Sequence, residues 1–292
     1  MAAESSRDNR LGTSIWRDAL YRFSINRAAM VSFWIIIVLA VMSIVIPIWG
    51  PHPLDAVYWD RILLPPTLEN HHWFGTDANG RDMFVRTLYG ARISLTIGVL
   101  TTLVALIIGV TYGAIAGYFG GRVDAVMMRM IDVLYAVPTL FLVIILVSVF
   151  GNNFLLIFLS IGAVEWLTLA RIVRGQTLAI KEKEYMEAAH SLGLPVSRIL
   201  LQYILPNVVG PVVVYVTLLI PVNIIVESYL SFLGLGVQEP FTSWGRLISQ
   251  GAGEMEAAPW LLLIPAGFLT LTMFCFNFMG DGLRDALDPK NR

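Results

Sequence analysis

Few residues of this chain are of types and at spacings that could do catalytic chemistry together. The stretch Asp77–Asp82 superficially resembles a calcium-binding loop. An EF-hand loop needs a glycine at its sixth position and a glutamate at its twelfth, but Gly80 falls at the fourth and no glutamate stands at the twelfth. His71 and His72 are adjacent, but two ligands do not make a zinc site. We interpret both histidines as surface residues of a loop.

The sequence also lacks the short motifs of common catalytic and nucleotide-binding sites. Gly-Lys occurs nowhere, so the chain cannot hold ATP phosphates in a Walker A loop. His-Glu-x-x-His, Cys-x-x-Cys and Gly-x-Ser-x-Gly are missing as well. We therefore expect a protein that is not an enzyme, with no catalytic residues, no metal site and no cofactor. Any ATP-driven work would need a separate subunit.

The composition indicates a membrane protein. Hydrophobic residues make up 57% of the chain and charged residues 14%, whereas a soluble domain is about 45–50% apolar and about 25% charged. The formal net charge of −1 gives no basic excess to neutralise phosphates, so we expect no nucleic-acid partner. The one cysteine, Cys275, cannot form a disulfide within the chain.

Six apolar stretches are long enough, or nearly so, to cross a membrane. A bilayer core of about 30 Å needs roughly 20 apolar residues in a helix, and lipid offers no partner to exposed backbone groups. We therefore predict an all-α polytopic protein with six transmembrane helices. The six stretches are Val31–Trp49, Ser94–Tyr118, Val133–Phe150, Phe154–Ala170, Val208–Val226 and Trp260–Met279.

The placement of Lys and Arg predicts the orientation of these spans. If the N-terminus is inside, the inside segments contain 15 of the 20 Lys and Arg residues and the outside segments contain 5. This excess agrees with the positive-inside rule, so we expect both termini in the cytoplasm. The chain then divides into a cytoplasmic arm, residues 1–30, and a six-span domain, residues 31–292. Within that domain, residues 50–93 and 227–259 form outside loops, and residues 173–207 form a long inside segment.

The N-terminal arm contains apolar residues at helical spacing. This pattern predicts a short helix that lies in the inner membrane interface before the first span. A solvated basic arm is the alternative. The apolar residues in question are Ile15, Trp16, Ala19, Leu20 and Phe23.

The long inside segment has the composition of a helical hairpin. Gln176–Ser191 is rich in strong helix formers, and Gly193 follows where a left-handed residue would end that helix. A second helical run covers Val196–Leu205, and Pro206 then stops or bends the chain before the fifth span. The hairpin either projects to meet a partner or folds back on its own membrane domain.

One pattern in this hairpin resembles a known motif. Glu187-Ala188-Ala189, three further residues, Gly193 and then Leu205-Pro206 are similar to the EAA loop of binding-protein-dependent ABC transporter permeases. The resemblance implies that the hairpin docks into a cleft of an ATP-binding subunit. It assigns the coupling role to these six residues.

Three other segments narrow the resemblance to the dipeptide/oligopeptide group of these permeases, and within it to oligopeptide permease C subunits. They are Phe74–Asp82, Glu227–Gly236 and Gly280–Pro289. The resemblance implies the ABC importer permease fold, a bacterial inner membrane location and import of oligopeptides. It also implies four kinds of partner: a second homologous permease, two ATP-binding cassette subunits, a periplasmic solute-binding protein and the peptide. Dipeptides, nickel or another small solute are alternative cargoes, and an ATP-independent secondary transporter is the rival class.

Three polar residues near or within the spans remain to be considered, and one of them, Glu165, belongs to none of these motifs. Ionisable groups in lipid are costly and usually face a cavity or a partner. Glu165, Asn223 and Glu227 are therefore candidates for the translocation path. The two glutamates fall in the outer half of their spans, where each could instead reach the membrane interface.

Overall fold

The computed structural model describes residues 15–151 and 153–287, and helices account for most of them. In chain order these are α1 (Ile15–Ile25), α2 (Arg27–Trp49), a 3-10 turn (Trp59–Arg61), α3 (Met83–Phe119), α4 (Gly121–Tyr135), α5 (Thr139–Phe150), α6 (Phe154–Lys181), α7 (Glu184–Ser191), α8 (Val196–Ile199), a π turn (Leu200–Ile204), α9 (Leu205–Phe232), α10 (Trp244–Gly253) and α11 (Trp260–Leu287). The described residues form no β-strand beyond one isolated bridge. The predicted all-α class is therefore confirmed.

Five continuous helices in the described part of the chain are long and apolar enough to cross a membrane. They contain α2, α3, α6, α9 and α11, and the fourth of these runs unbroken from Val196 to Phe232. The predicted third span, Val133–Phe150, is not one helix. It comprises the end of α4 and the whole of α5, which are bent by 82° at the break between them and form a sixth candidate span if the pair crosses together. The reason is Pro138, which lacks an N–H and restricts the residue before it to extended conformations.

Side-chain caps explain why several helices begin where they do. The Asp82 Oδ1 atom accepts a hydrogen bond from the Val85 N–H at 2.8 Å, and this carboxylate also suits the positive end of the helix dipole. Helix α3 therefore starts at Met83, and the first outside loop ends well before residue 93. Asn153 caps α6 in the same way: its Oδ1 atom accepts a hydrogen bond from the Leu156 N–H at 2.9 Å.

The longest contact in the core is a parallel packing of α3 against α6. Two glycines of α3 lie very close to α6. A Cβ atom on Gly109 would be 2.9 Å from Leu169, and a Cβ atom on Gly117 would be 2.7 Å from Thr177. From the other side, a Cβ on Gly162 would be 2.8 Å from Val104. These small residues let the two backbones approach, as in many membrane helix pairs.

The chain crosses between two faces of this bundle. The hairpin face contains α1, the turn at residues 120–121, the segment 182–204 and the end of α11. The loop face contains residues 50–82 and 233–259, including α10. Helix α1 has the length and position predicted from its helical spacing, and Leu20 and Tyr21 on it are exposed. That it lies in a membrane interface stays a prediction.

Candidate coupling hairpin and buried polar sites

The hairpin contains two short helices, α7 and α8, and the second of them continues into α9. The predicted single helix Gln176–Ser191 is wrong, because α6 ends at Lys181 and α7 begins at Glu184. Lys183 between them has extended backbone angles, φ −85° and ψ 142°. This break lets α7 turn its apolar face towards the membrane domain, which a continuous helix could not do.

Gly193 ends α7 in the way the sequence predicted. Its φ of +68° lies in the left-handed region that favours glycine. The Gly193 N–H donates to the His190 carbonyl at 2.9 Å, and the Leu194 N–H donates to the Ala189 carbonyl at 3.3 Å. This pair of bonds is the Schellman arrangement, which satisfies carbonyl groups at a helix end and reverses the chain direction.

The two faces of α7 have different environments. Met186 is buried in an apolar cluster with residues such as Ile199, and Ala189 is buried as well. Glu187 and Ala188 are exposed, and Leu192 beside them is 78% exposed. The hairpin thus packs one face on its own domain and leaves the Glu187 face open. The packing of one face on its own domain agrees with the second alternative, whereas docking of the open face on a partner stays a prediction.

The helix continues through Leu205 and Pro206. The predicted stop at Pro206 is wrong, because the helix passes through the π turn into α9 without a break. The Leu205 N–H bonds to the Leu200 carbonyl, five residues back. The hydrogen-bond register is therefore already shifted where Pro206, near the first position of α9, has no N–H to donate.

Asn223 and Glu227 lie inside the subunit, with side chains that have no solvent exposure. Asn223 Nδ2 donates to Thr102 Oγ1 at 2.8 Å, which joins α9 to α3. Glu227 Oε1 accepts from Ser231 Oγ at 2.6 Å and from Ser243 Oγ at 2.7 Å. In this conformation neither side chain faces an open path, and their part in translocation stays a prediction.

Glu165 is in a different environment on α6. Its side chain is only partly buried, and it has no hydrogen-bond partner among the described residues. It shares a helix face with Thr168, because residues three apart are neighbours on a helix. Thr168 hydrogen-bonds to Tyr135. An ionisable group with no partner in a span is the kind that faces a cavity or another subunit.

His72 is buried, so its interpretation as a surface residue is wrong, whereas His71 is exposed as predicted. The His72 Nδ1 atom lies 2.8 Å from Asp82 Oδ2, and its Nε2 atom lies 3.3 Å from Arg61 Nη1. These contacts fasten the first outside loop to the start of α3. Sequence spacing could not show them, because they depend on how the loop folds.

His52, His72 and Asp82 offer ligand atoms within 4.8 Å of one another. The two imidazole rings, however, are stacked at 4.1 Å with 13° between their planes, so their in-plane lone pairs cannot converge on one ion. Each ring nitrogen is already within hydrogen-bond distance of another group. The Arg61 guanidinium would also repel a cation. The arrangement favours a hydrogen-bonded cluster over a metal site.

An ionic contact joins the two loops of the loop face. Arg81 Nε lies 2.9 Å from Asp77 Oδ2, and Arg81 Nη1 lies 3.1 Å from Glu239 Oε1. Burial by itself would lower the pKa of Arg81, but the neighbouring carboxylates of Asp77 and Glu239 outweigh it and raise that pKa. The guanidinium therefore stays charged at any physiological pH.

Two family models match this chain. Residues 109–292 match the family described as "Binding-protein-dependent transport system inner membrane component". This fold and this match define a class, the membrane permeases of binding-protein-dependent ABC importers, and an inner membrane location. The chain belongs to that family. Residues 14–66 further match the "N-terminal TM domain of oligopeptide transport permease C".

Curated relatives extend over nearly the whole chain. It is 53% identical over 281 residues to the oligopeptide transport system permease protein OppC of Haemophilus influenzae, covering 96% of this chain and 90% of that protein. It is 54% identical to OppC of Escherichia coli K12, covering 96% and 93%. The dipeptide transport system permease protein DppC of Bacillus subtilis is 45% identical over 290 residues, covering 99% and 90%.

A solved structure confirms the fold. The chain is similar to a chain from the inward-facing MetNI methionine ABC transporter, with a TM-score of 0.57 and 15% identity, covering 70% of this chain and 98% of that one. At this identity the likeness shows the fold alone. It confirms the predicted ABC permease fold.

Proposed function

We propose that this chain is the transmembrane permease subunit of an ATP-driven importer that moves oligopeptides from the periplasm to the cytoplasm. It forms half of the translocation path beside a second homologous permease. The observation that carries the proposal is the hairpin with its exposed Glu187–Ala188 face, in a chain of this family. Glu187 offers a charge to an arginine or lysine of an ATP-binding subunit, and Ala188 keeps the contact surface flat.

The other coupling residues act through the shape of the hairpin. Ala189 packs inward and lets α7 lie close to its own domain. Gly193 reverses the chain, and Leu205 and Pro206 join the hairpin to α9. Two ATP-binding cassette subunits would meet this hairpin in the cytoplasm, and a periplasmic solute-binding protein would meet the loop face. The 15 Lys and Arg residues of the predicted inside segments support this orientation.

The cargo is proposed from the names of the relatives. Those named for oligopeptide transport in H. influenzae and E. coli are 53% and 54% identical to this chain, whereas a glutathione transport permease of Pectobacterium atrosepticum is 38% identical. This gradient favours oligopeptides. Dipeptides, nickel or another small solute remain the alternative, and the dipeptide relative at 45% identity makes dipeptides the stronger one.

Uptake of labelled peptides tests the proposal directly. A strain that lacks this chain should lose uptake of peptides of about three to five residues, and the wild-type chain should restore it. If only dipeptide uptake is lost, the cargo proposal is wrong. If the chain purifies without ATP-binding subunits and uptake persists after ATP is depleted, the rival class of secondary transporter is right.

Charge reversal in the hairpin tests the coupling role. Glu187→Lys should reduce binding of the ATP-binding subunits by about 100-fold or more, because like charges at an interface cost several kcal/mol. Glu182→Lys is the matched control, since this exposed residue lies outside the motif and should have little effect. The measurement is co-purification of the ATP-binding subunits and ATP hydrolysis. Equal losses in the two variants would contradict a specific role for Glu187.

A further inference from the structure

A short helix on the loop face, α10, is fastened to two spans by buried polar contacts. Ser243 begins this helix: its Oγ atom accepts from the Arg246 N–H at 3.2 Å. The same hydroxyl donates to Glu227 Oε1 at 2.7 Å. One serine therefore caps α10 and ties it to α9.

The next residue ties α10 to α3. The Trp244 N–H donates to Ser94 Oγ at 3.1 Å, and the indole Nε1–H donates to the Thr87 carbonyl at 3.0 Å. Trp244 is fully buried. Gly245 follows, and a Cβ atom there would clash with the Ser228 backbone of α9. The start of α10 is thus a packed joint between α3 and α9.

Glu227 is the one carboxylate in this joint. It is fully buried, and a buried carboxylate is tolerated only with hydrogen-bond donors around it. Its two serine donors differ in what they connect. Ser231 lies four residues along the same helix, so its bond stays within α9, whereas Ser243 lies on α10. Of these two bonds, only the second joins two elements; Ser94 of α3 is a further hydrogen-bond partner of the carboxylate.

Helix α9 also leads directly to the coupling hairpin. The continuous helix Val196–Phe232 begins in the second arm of the hairpin, where Ile199 packs against Met186 of the first arm. At 1.5 Å per residue, Glu227 lies about 40 Å along the helix from Ile199. A displacement at one end of such a helix reaches the other end without an intervening loop.

We propose that Glu227 is a positioning residue that locks α10 to α9, so that movement of the hairpin also moves the outer helix α10. The coupling part of this statement rests on the proposed function, but the mechanical lock does not. Because α10 lies on the loop face, the lock would transmit the state of the hairpin to the side where the substrate enters. Asn223 lies four residues before Glu227 in α9. Its hydrogen bond to Thr102 of α3 also holds α9 against α3.

Hydrogen exchange of α10 tests the lock in the assembled transporter. Glu227→Leu removes the acceptor and leaves the Ser243 cap in place, so exchange of backbone N–H groups in residues 244–253 should rise about tenfold, as expected for loss of one buried hydrogen bond. Ser231→Ala removes a bond to the same oxygen and a longer contact of 3.3 Å to Ser243 Oγ, but it leaves the Ser243–Glu227 bond in place, so α10 should lose far less protection than in Glu227→Leu. Glu227→Gln retains an acceptor oxygen and should restore protection.

Ser243→Gly serves as a second variant if Glu227→Leu does not assemble. Glycine is a tolerated N-cap, at a cost of only a few tenths of a kcal/mol, so faster exchange of α10 would report the lost lock. Equal exchange of α10 in the Ser243→Gly and Ser231→Ala proteins would overturn the proposal. So would wild-type exchange in Glu227→Leu.

The ratio of ATP hydrolysed to peptide imported, measured in proteoliposomes, tests the consequence. In Glu227→Leu this ratio should rise at least about fivefold, whereas Ser231→Ala and Glu227→Gln should keep the wild-type ratio. If exchange of α10 rises but this ratio stays unchanged, Glu227 locks α10 to α9 without a role in coupling, and the coupling part of the proposal is wrong. If the wild-type complex imports no peptide, the proposed function fails, while the exchange result still decides the lock.

Discussion

At the scale of single residues, burial separates side chains that look alike in the sequence. His71 and His72 are neighbours, yet one is exposed and the other has no exposed surface. The buried ring bonds to Asp82, whose second oxygen caps α3. One carboxylate therefore holds both the loop and the helix, with His72 at one oxygen and the Val85 N–H at the other.

Replacement of His72 tests this assignment. His72→Ala should lower the free energy of unfolding of the first outside loop by about 1–3 kcal/mol, because a buried carboxylate oxygen loses its donor. The measurement is the rate of limited proteolysis within residues 50–82. His71→Ala is the control and should leave that rate unchanged. Equal rates in the two variants would mean that the His72–Asp82 bond does not stabilise the loop.

The sequence predicted those parts of the fold that depend on local composition. The apolar runs from Val31, Phe154 and Trp260 predicted three spans whose helices the structure contains, and Gly193 predicted the end of α7. The burial of His72 and the contacts of Glu227 were not predictable, because they join residues far apart in the chain. A polar residue in a span signals that it needs a partner, but a single sequence does not say which.

At the scale of elements, breaks and continuities decide which parts move together. Pro138 separates α4 from α5 with an 82° bend, whereas Pro206 leaves the helix from the hairpin into α9 intact. The difference lies in the backbone around each proline: Val137 precedes Pro138 in a non-helical segment, while the π turn before Pro206 has already shifted the hydrogen-bond register. Proline alone therefore does not predict a break.

The hairpin depends on the reversal at Gly193. Gly193→Ala should destabilise the turn by about 1 kcal/mol, because a φ of +68° is unfavourable for a residue with a Cβ atom. Gly193→Asn should cost less, since asparagine tolerates this conformation. The measurement is the affinity of the ATP-binding subunits for the purified permease. Gly175→Ala is the control, because a Cβ atom there meets nothing within 4 Å. An equal effect of both alanine variants would contradict a special role for the turn.

At the scale of the whole molecule, the two faces differ in charge. The predicted outside segments 50–93 and 227–259 contain nine acidic residues against five arginines, so these segments are net acidic. The predicted inside segments contain 15 of the 20 Lys and Arg residues. Positive charge on one face is retained in the cytoplasm during insertion. This charge asymmetry, together with the exposed Glu187 surface, predicts that the hairpin face lies in the cytoplasm and the loop face outside.

Labelling with a membrane-impermeant maleimide tests that orientation. Cys275 is 2% exposed, so the wild-type chain should remain unlabelled and serves as the background. In intact spheroplasts Glu69→Cys on the loop face should react, whereas Leu192→Cys on the hairpin should react only after the membrane is opened. Bound ATP-binding subunits should then protect Leu192→Cys and leave Glu69→Cys reactive. Reaction of Leu192→Cys from outside in intact cells would reverse the orientation, and with it the proposed direction of transport.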